Sequence, residues 1–190
     1  MREIEIKARV ASIATVVEKL EQAGIVVSEP VRQRDEVFGI PGVAGDSANS
    51  EPWLRIRTET KNSNTKYVYT LKKSVTNQLD SIEHETVVED ADELRQIILH
   101  SGFVPFSEVT KTRRKAKIGD IEICIDTVEK LGDFVEAEKL TGEDADYEAV
   151  AMELWELLEQ YGANRSDEVT DGYDTMMEHL NAHSGLQAKQ

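Results

Sequence analysis

The chain has 190 residues, 39% hydrophobic and 31% charged, with a formal net charge of −15, so one domain with a sizeable core is the expectation. That acidic balance argues against a general nucleic-acid binder or docking on an anionic membrane, but not against an anionic small substrate, for which the location of the bases matters more than their total. Cys124 is the sole cysteine, and no apolar run approaches a membrane span or a leader, so neither a disulfide nor a cysteine-based zinc site is expected, and the simplest reading is a soluble cytoplasmic protein.

The opening EIEIK reads as a strand, with Ile4 and Ile6 on one face and Glu3, Glu5 and Lys7 on the other. A helix follows, capped by Ser12, striped by Ile13, Val16, Val17 and Leu20, and ended by Gly24. The run GIVVSEPVRQRDEVF is expected to be a strand, and Gly39 to Pro52 a loop rich in Gly, Pro and Ser. WLRIRTE and KYVYTLKK are two further strands separated by a polar turn, and IEHETVV is another. A second helix starts at Asp90, where Asp90 and Glu93 resemble a capping box, and ends at Gly102. GFVPFSEVTKTRRKAKI, DIEICID and DFVEAEK supply three more strands. A third helix is expected over Asp144 to Tyr161, and a short last one over Asp174 to Leu180, packing through Tyr173, Met176, Met177 and Leu180. Residues 1–180 are expected to form one domain and 181–190 a disordered tail.

The chain is written twice. Glu83 and Glu85 stand to the second helix as Glu3 and Glu5 stand to the first, 80 positions apart. Gly102 follows Gly24 by 78, and Lys111 and Arg113 follow Arg32 and Arg34 by 79. Two β-α-β-β-β halves imply about eight strands related by an approximate two-fold axis, too long a period for a solenoid.

Each strand has one charged face. A merely solvated face is the ordinary reading for any one of them. Taken together the charges are sorted by strand rather than mixed: mainly acids on the first, bases at Arg55 and Arg57, a base at Lys72, acids at Glu83 and Glu85, bases at Lys111 and Arg113, acids at Glu122, Asp126, Glu136 and Glu138. Closing the sheet into a barrel would turn this face inward, and about eight strands leave room for side chains or one small ligand. The fold class expected is therefore α+β, a closed eight-stranded antiparallel barrel with helices packed outside. Burying such charges unpaired costs about several kcal/mol per ion, which a hydrated, ligand-filled tunnel relieves. Facing carboxylates suit Mg²⁺ or Mn²⁺, and facing Arg and Lys suit phosphate oxygens.

These residues resemble the CYTH proteins, or triphosphate tunnel metalloenzymes. The likeness rests on Glu3-x-Glu5-x-Lys7, Arg55 and Arg57, Lys72, Glu83 and Glu85, Lys111 and Arg113, Asp126, and the closing Glu136 and Glu138, an ordered set covering nearly the whole chain. Within the family, VEKLGDFVEAE looks most like the class IV adenylyl cyclase branch. Members often carry an aromatic pair after the second-strand aspartate; here Glu36, Val37 and Phe38 follow Asp35. The resemblance implies a divalent metal, Mg²⁺ or Mn²⁺, and a triphosphate substrate: ATP, tripolyphosphate or thiamine triphosphate. Glu3, Glu5, Asp126, Glu136 and Glu138 would be metal ligands, and Lys7, Arg55, Arg57, Lys72, Glu83, Glu85, Lys111 and Arg113 would form the substrate site. Lys7, Glu5 and Asp126 are the candidates for catalytic roles. Cyclization of ATP is the first reading, with inorganic or thiamine triphosphatase nearly level and a non-catalytic polyphosphate or nucleotide sensor behind; a lipocalin-type carrier would want an apolar interior. A monomer or homodimer is expected, with neither nucleic acid nor membrane as partner.

Overall fold

The computed structural model describes residues 1–43 and 51–187. Eight strands form in chain order: β1 (Arg2–Arg9), β2 (Val31–Gly39), β3 (Trp53–Lys61), β4 (Asn64–Ser74), β5 (Asp80–Val88), β6 (Val104–Ile118), β7 (Ile121–Val128) and β8 (Gly132–Thr141). All pairings are antiparallel, and the order β1-β5-β4-β3-β2-β6-β7-β8 closes on itself through β1 and β8. Exchanging the first four strands with the last four leaves that order unchanged, so the doubled sequence is realised as a doubled barrel. The β3–β4 connection is a two-residue hairpin in which Asn62 and Ser63 both take positive φ, the conformation that matches strand twist.

Four helices decorate the barrel: α1 (Ile13–Gln22), α2 (Ala91–His100), α3 (Tyr147–Gln160) and α4 (Tyr173–Gln187). The Asp90 side chain accepts from the Glu93 N–H at the start of α2, as its sequence suggests. Ser12 occupies the cap position of α1 but makes no side-chain cap bond; the Ile13 N–H instead reaches Asp133 Oδ2 at 3.4 Å. Gly24 and Gly102 follow α1 and α2 with φ of 79° and 94°, left-handed turns that glycine adopts without strain. None of the described helices is long and apolar enough to cross a membrane.

The apolar faces point outward and are covered by helices. Ile4, Ile6, Ile123, Ile125, Val135 and Ala137 pack under Val16 and Leu20 of α1 and Leu154, Trp155 and Leu158 of α3. Phe38, Leu54 and Ile56 pack under Ile98 of α2. A third cluster lies inside the barrel wall: Val109, Val128 and Phe134 meet Tyr173 and Met177, so α4 closes over part of one end.

Three expectations change. The segment Ile25–Pro30 is not strand; β2 begins only at Val31. The 79-residue correspondence of Arg32 and Arg34 with Lys111 and Arg113 is one residue out of phase. Arg34 pairs on the outer face with Glu36 at 2.8 Å and with Glu108, while Gln33 and Asp35 are the buried residues of β2. With a side-chain period of two, a one-residue slip exchanges the faces. Finally, α4 continues to Gln187, past the expected end at Leu180. Residues 44–50 of the expected Gly39–Pro52 loop, and 188–190 of the expected tail, lie outside the described residues.

Candidate active site in the barrel interior

The alternation of β1 carries Glu3, Glu5 and Lys7 into the barrel, and the register of β1 on β8 sets Glu5 opposite Glu138 and Lys7 opposite Glu136. β3 brings Arg55 and Arg57, β4 brings Lys72, β5 brings Glu83 and Glu85, and β6 brings Lys111 and Arg113. All these residues line one cavity of about 260 Å³. Asp126 does not line it; it is fully buried behind Arg113. A second cavity shares Arg57, Glu85, Arg113 and Lys115 with the first, so the hydrophilic interior extends toward the other end of the barrel.

Two arginines are fixed by buried carboxylates in matching ways. Arg57 donates to Asp35 from Nε at 2.7 Å and from Nη2 at 2.8 Å. Arg113 donates to Asp126 from Nε at 2.8 Å and from Nη2 at 2.6 Å. Asp35 and Arg57 sit on β2 and β3, Arg113 and Asp126 on the corresponding β6 and β7, so each half has one such bidentate pair with donor and acceptor exchanged. This geometry gives orientation as well as energy. Burial would raise the Asp35 carboxyl, but Arg57, with help from Arg55 and Lys111, holds it well below the usual range. Sequence reading left Asp35 out of the site; counting the β2 face from Asp35 rather than from the arginines would have found it.

The remaining bases are also held by acids. Lys72 Nζ lies 3.0 Å from both Glu3 and Glu83. Arg55 Nη2 reaches Glu83 at 3.2 Å and Glu85 at 3.1 Å. Lys111 lies 3.5 Å from Asp126, yet its own ammonium is pushed below the ordinary value by burial and by Arg113 and Arg57. Lys7 sits 3.2 Å from Glu5 and 3.3 Å from Glu136; burial works against its charge, and the two carboxylates more than restore it.

Glu5, Glu136 and Glu138 each present a carboxylate oxygen, and the three lie within 4.8 Å of one another. Burial, then the neighbouring Glu136, pushes the Glu5 carboxyl up to about 8 despite Lys7. Its Oε1 is buried and makes no well-formed hydrogen bond. Burial likewise raises Glu3, to about 7. Glu136 behaves oppositely: burial is overcome by Arg113, Lys7 and Lys111, and it stays well below the carboxylate range. A site that crowds three carboxylate oxygens this closely suits a hard cation with oxygen ligands. Of the expected ligands, Glu5, Glu136 and Glu138 are thus brought together. Glu3 is engaged by Lys72, and both Asp126 oxygens are taken by Arg113. Glu122 and Cys124 form a further group with Glu138, but Glu122 is paired with Lys115, and burial pushes the Cys124 thiol well above its ordinary value, consistent with an inert sulfur.

One end of the cavity is apolar and aromatic. Ile40, Trp53 and Phe106 line it, and the Trp53 ring lies 6.0 Å from both Arg55 and Lys72. Trp53 thus borders the cationic wall.

Comparison with known proteins agrees with this geometry. The CYTH domain model matches residues 1–173. "Putative adenylate cyclase MJ0240" of Methanocaldococcus jannaschii is 30% identical over 173 residues, covering 91% of this chain and 97% of that protein. A solved Pyrococcus horikoshii protein superposes with a TM-score of 0.78 at 23% identity, covering 95% of this chain and 99% of the other. A putative adenylyl cyclase from Hippeastrum, whose structure is described as revealing a dominant triphosphatase activity, superposes with a TM-score of 0.56 at 19% identity over 90% of each chain. A family match over nearly the whole chain, an ordered set of interior charges and a closed eight-stranded barrel lead to one conclusion: this chain belongs to the CYTH domain family.

Proposed function

We propose that the protein is a divalent-metal-dependent enzyme acting on a triphosphate inside its barrel, with conversion of ATP to cyclic AMP and pyrophosphate as the first reading. The observation that carries it is the Glu5, Glu136 and Glu138 cluster sharing one cavity with Arg55, Arg57, Lys72, Lys111 and Arg113. The three carboxylates would hold Mg²⁺ or Mn²⁺, and Glu3 stands next to them along β1. When bound, the ion would neutralise phosphate oxygens and favour the developing charge at the reacting phosphorus. Everything else falls to the chain's own groups.

Phosphoryl chemistry asks for positioning and charge stabilisation rather than covalent help. Asp35 and Asp126 hold Arg57 and Arg113 in place before substrate arrives, so little reorganisation is needed to grip phosphate oxygens. Glu83 does the same for Lys72 and Arg55. Lys7 lies between the carboxylates Glu5 and Glu136, where it can reach a phosphate oxygen or orient the attacking group. In a cyclase that group is the ribose 3′-hydroxyl, which bonds to the α-phosphorus as pyrophosphate departs. The aromatic end formed by Trp53 and Phe106 offers a place for a planar organic group beside the cations, which favours an organic triphosphate over tripolyphosphate.

The second reading is an inorganic or thiamine triphosphatase, in which water attacks a terminal phosphorus. The gripping residues are the same in both, and similarity to a Hippeastrum protein described by both activities keeps it close. Incubation with Mg²⁺ or Mn²⁺ and ATP, thiamine triphosphate or tripolyphosphate separates them. Cyclic AMP and pyrophosphate without free phosphate are expected. Phosphate from tripolyphosphate, with no cyclic product from ATP, would replace the first reading by the second. Binding without turnover of any of the three would leave only a sensor.

A further inference from the structure

Tyr173 opens α4 and is 7% exposed. Packing accounts for part of it: the ring meets Phe134 edge-on at 5.0 Å and lies in the cluster with Val109 and Met177. Phenylalanine would serve that purpose equally, and two features are left unexplained. Lys7 Nζ lies 4.3 Å and Lys111 Nζ 4.8 Å from the centre of the ring, so one aromatic ring contacts two cations of the site. Its hydroxyl is buried and has no hydrogen-bond partner, an arrangement that costs about 1–3 kcal/mol unless something else satisfies it.

The segment leading to Tyr173 is built to hold it there. The Val169 N–H donates to the Lys7 carbonyl at 2.9 Å, and Lys7 Nζ donates to the Asp171 carbonyl at 3.3 Å. Gln78 Oε1 accepts from Gly172 N–H at 2.7 Å and from the Thr175 hydroxyl at 3.1 Å. The start of α4 is therefore pinned to β1 and to the turn before β5 on both sides of the tyrosine.

We propose that Tyr173 belongs to the substrate site: its ring sets the positions of Lys7 and Lys111, and its hydroxyl donates a hydrogen bond to a phosphate oxygen seated between them. This rests on the triphosphate reading above. A phosphate there supplies the acceptor the hydroxyl lacks, and the ring braces both ammonium groups, which also lie 3.3 Å from Glu136 and 3.5 Å from Asp126, respectively.

The test uses the full chain with Y173F and Y173L. Calorimetric titration with tripolyphosphate and Mg²⁺ gives affinity, and thermal melting with and without that ligand gives stability. Y173F, which keeps the ring and removes the unpaired hydroxyl, should melt at or above the wild-type temperature when unliganded but bind tripolyphosphate about tenfold more weakly, the size of one hydrogen bond to a charged group. Y173L, which loses the ring as well, should bind more weakly still. Wild-type affinity in Y173F would overturn the proposal, and so would a lowered unliganded melting temperature with an unchanged ligand-induced shift. No binding by the wild type would overturn the triphosphate reading itself and this proposal with it, a result that cannot be mistaken for failure at Tyr173 alone.

Discussion

Glu5→Gln should make the metal-free protein more stable while removing its response to metal. Glu5 is buried beside Glu136, and its carboxyl is pushed from the ordinary 4.5 up to about 8. Between those values the folded state binds more protons than the unfolded state, so stability falls as pH rises through that window. At about 1.36 kcal/mol per pKa unit, the cost reaches about 3 kcal/mol at pH 7. Gln keeps the shape of Glu and carries no such cost at any pH. For a chain of this length about 1 kcal/mol moves the melting temperature by roughly 2–4 °C, so metal-free E5Q should melt roughly 6–12 °C above wild type at pH 7. The gap should close near pH 4 and widen toward pH 8. Added Mn²⁺ should raise the wild-type melting temperature and leave E5Q unmoved. Thermal melts across pH, with chelator and then with Mn²⁺, measure all of this. An E5Q protein that is less stable than wild type without metal, or equally stabilised by Mn²⁺, would refute the reasoning.

Three further substitutions separate structural from functional charge. Asp80 is fully buried against Arg2, with bonds of 2.7 and 2.9 Å, outside the acid–base walls of the cavity. Asp80→Asn should cost about 3–5 kcal/mol by stranding the arginine, read from denaturant melts. Burial would raise the Asp80 carboxyl, but Arg2 and Thr76 lower it, so the pair's contribution is present above the unfolded aspartate range and is lost as pH falls through the folded value; D80N should show a flatter acid limb. Arg57→Ala should cut turnover by about 100-fold or more, because it removes a preorganised donor, while circular dichroism shows the barrel retained; Asp35 is left beside Arg55 and Lys111 rather than unpaired. Trp53→Ala should raise KM for ATP and leave tripolyphosphate binding unchanged, and equal effects on both would remove the aromatic end as a site for an organic group.

The barrel was legible because a strand period of two sorts isoleucines from glutamates without ambiguity, as in β1 and β7, and because each half repeats the other. Arg55, Arg57, Lys72, Glu83 and Glu136 follow from that parity directly. Parity failed at β2, where Arg32, Gln33, Arg34, Asp35 and Glu36 are all polar; nothing hydrophobic among them says which face is inside, and matching Arg32 and Arg34 to Lys111 and Arg113 selects the wrong one. Ion pairing was illegible for a different reason. That Asp126 grips Arg113 instead of facing the cavity depends on the β6–β7 register, which sets those two residues opposite each other. Tyr173 gave no sign beyond an apolar helix start, since its nearness to Lys7 and Lys111 depends on how α4 folds back across the barrel.

The most direct measurement is a crystal of the protein grown with Mn²⁺ and tripolyphosphate, with anomalous scattering used to locate the metal. A manganese peak about 2.0–2.2 Å from carboxylate oxygens of Glu5, Glu136 and Glu138, with phosphate density against Arg57 and Arg113, is the expected result. Manganese and phosphate on the outer surface, with the barrel interior holding neither, would contradict a metal–triphosphate site in the tunnel.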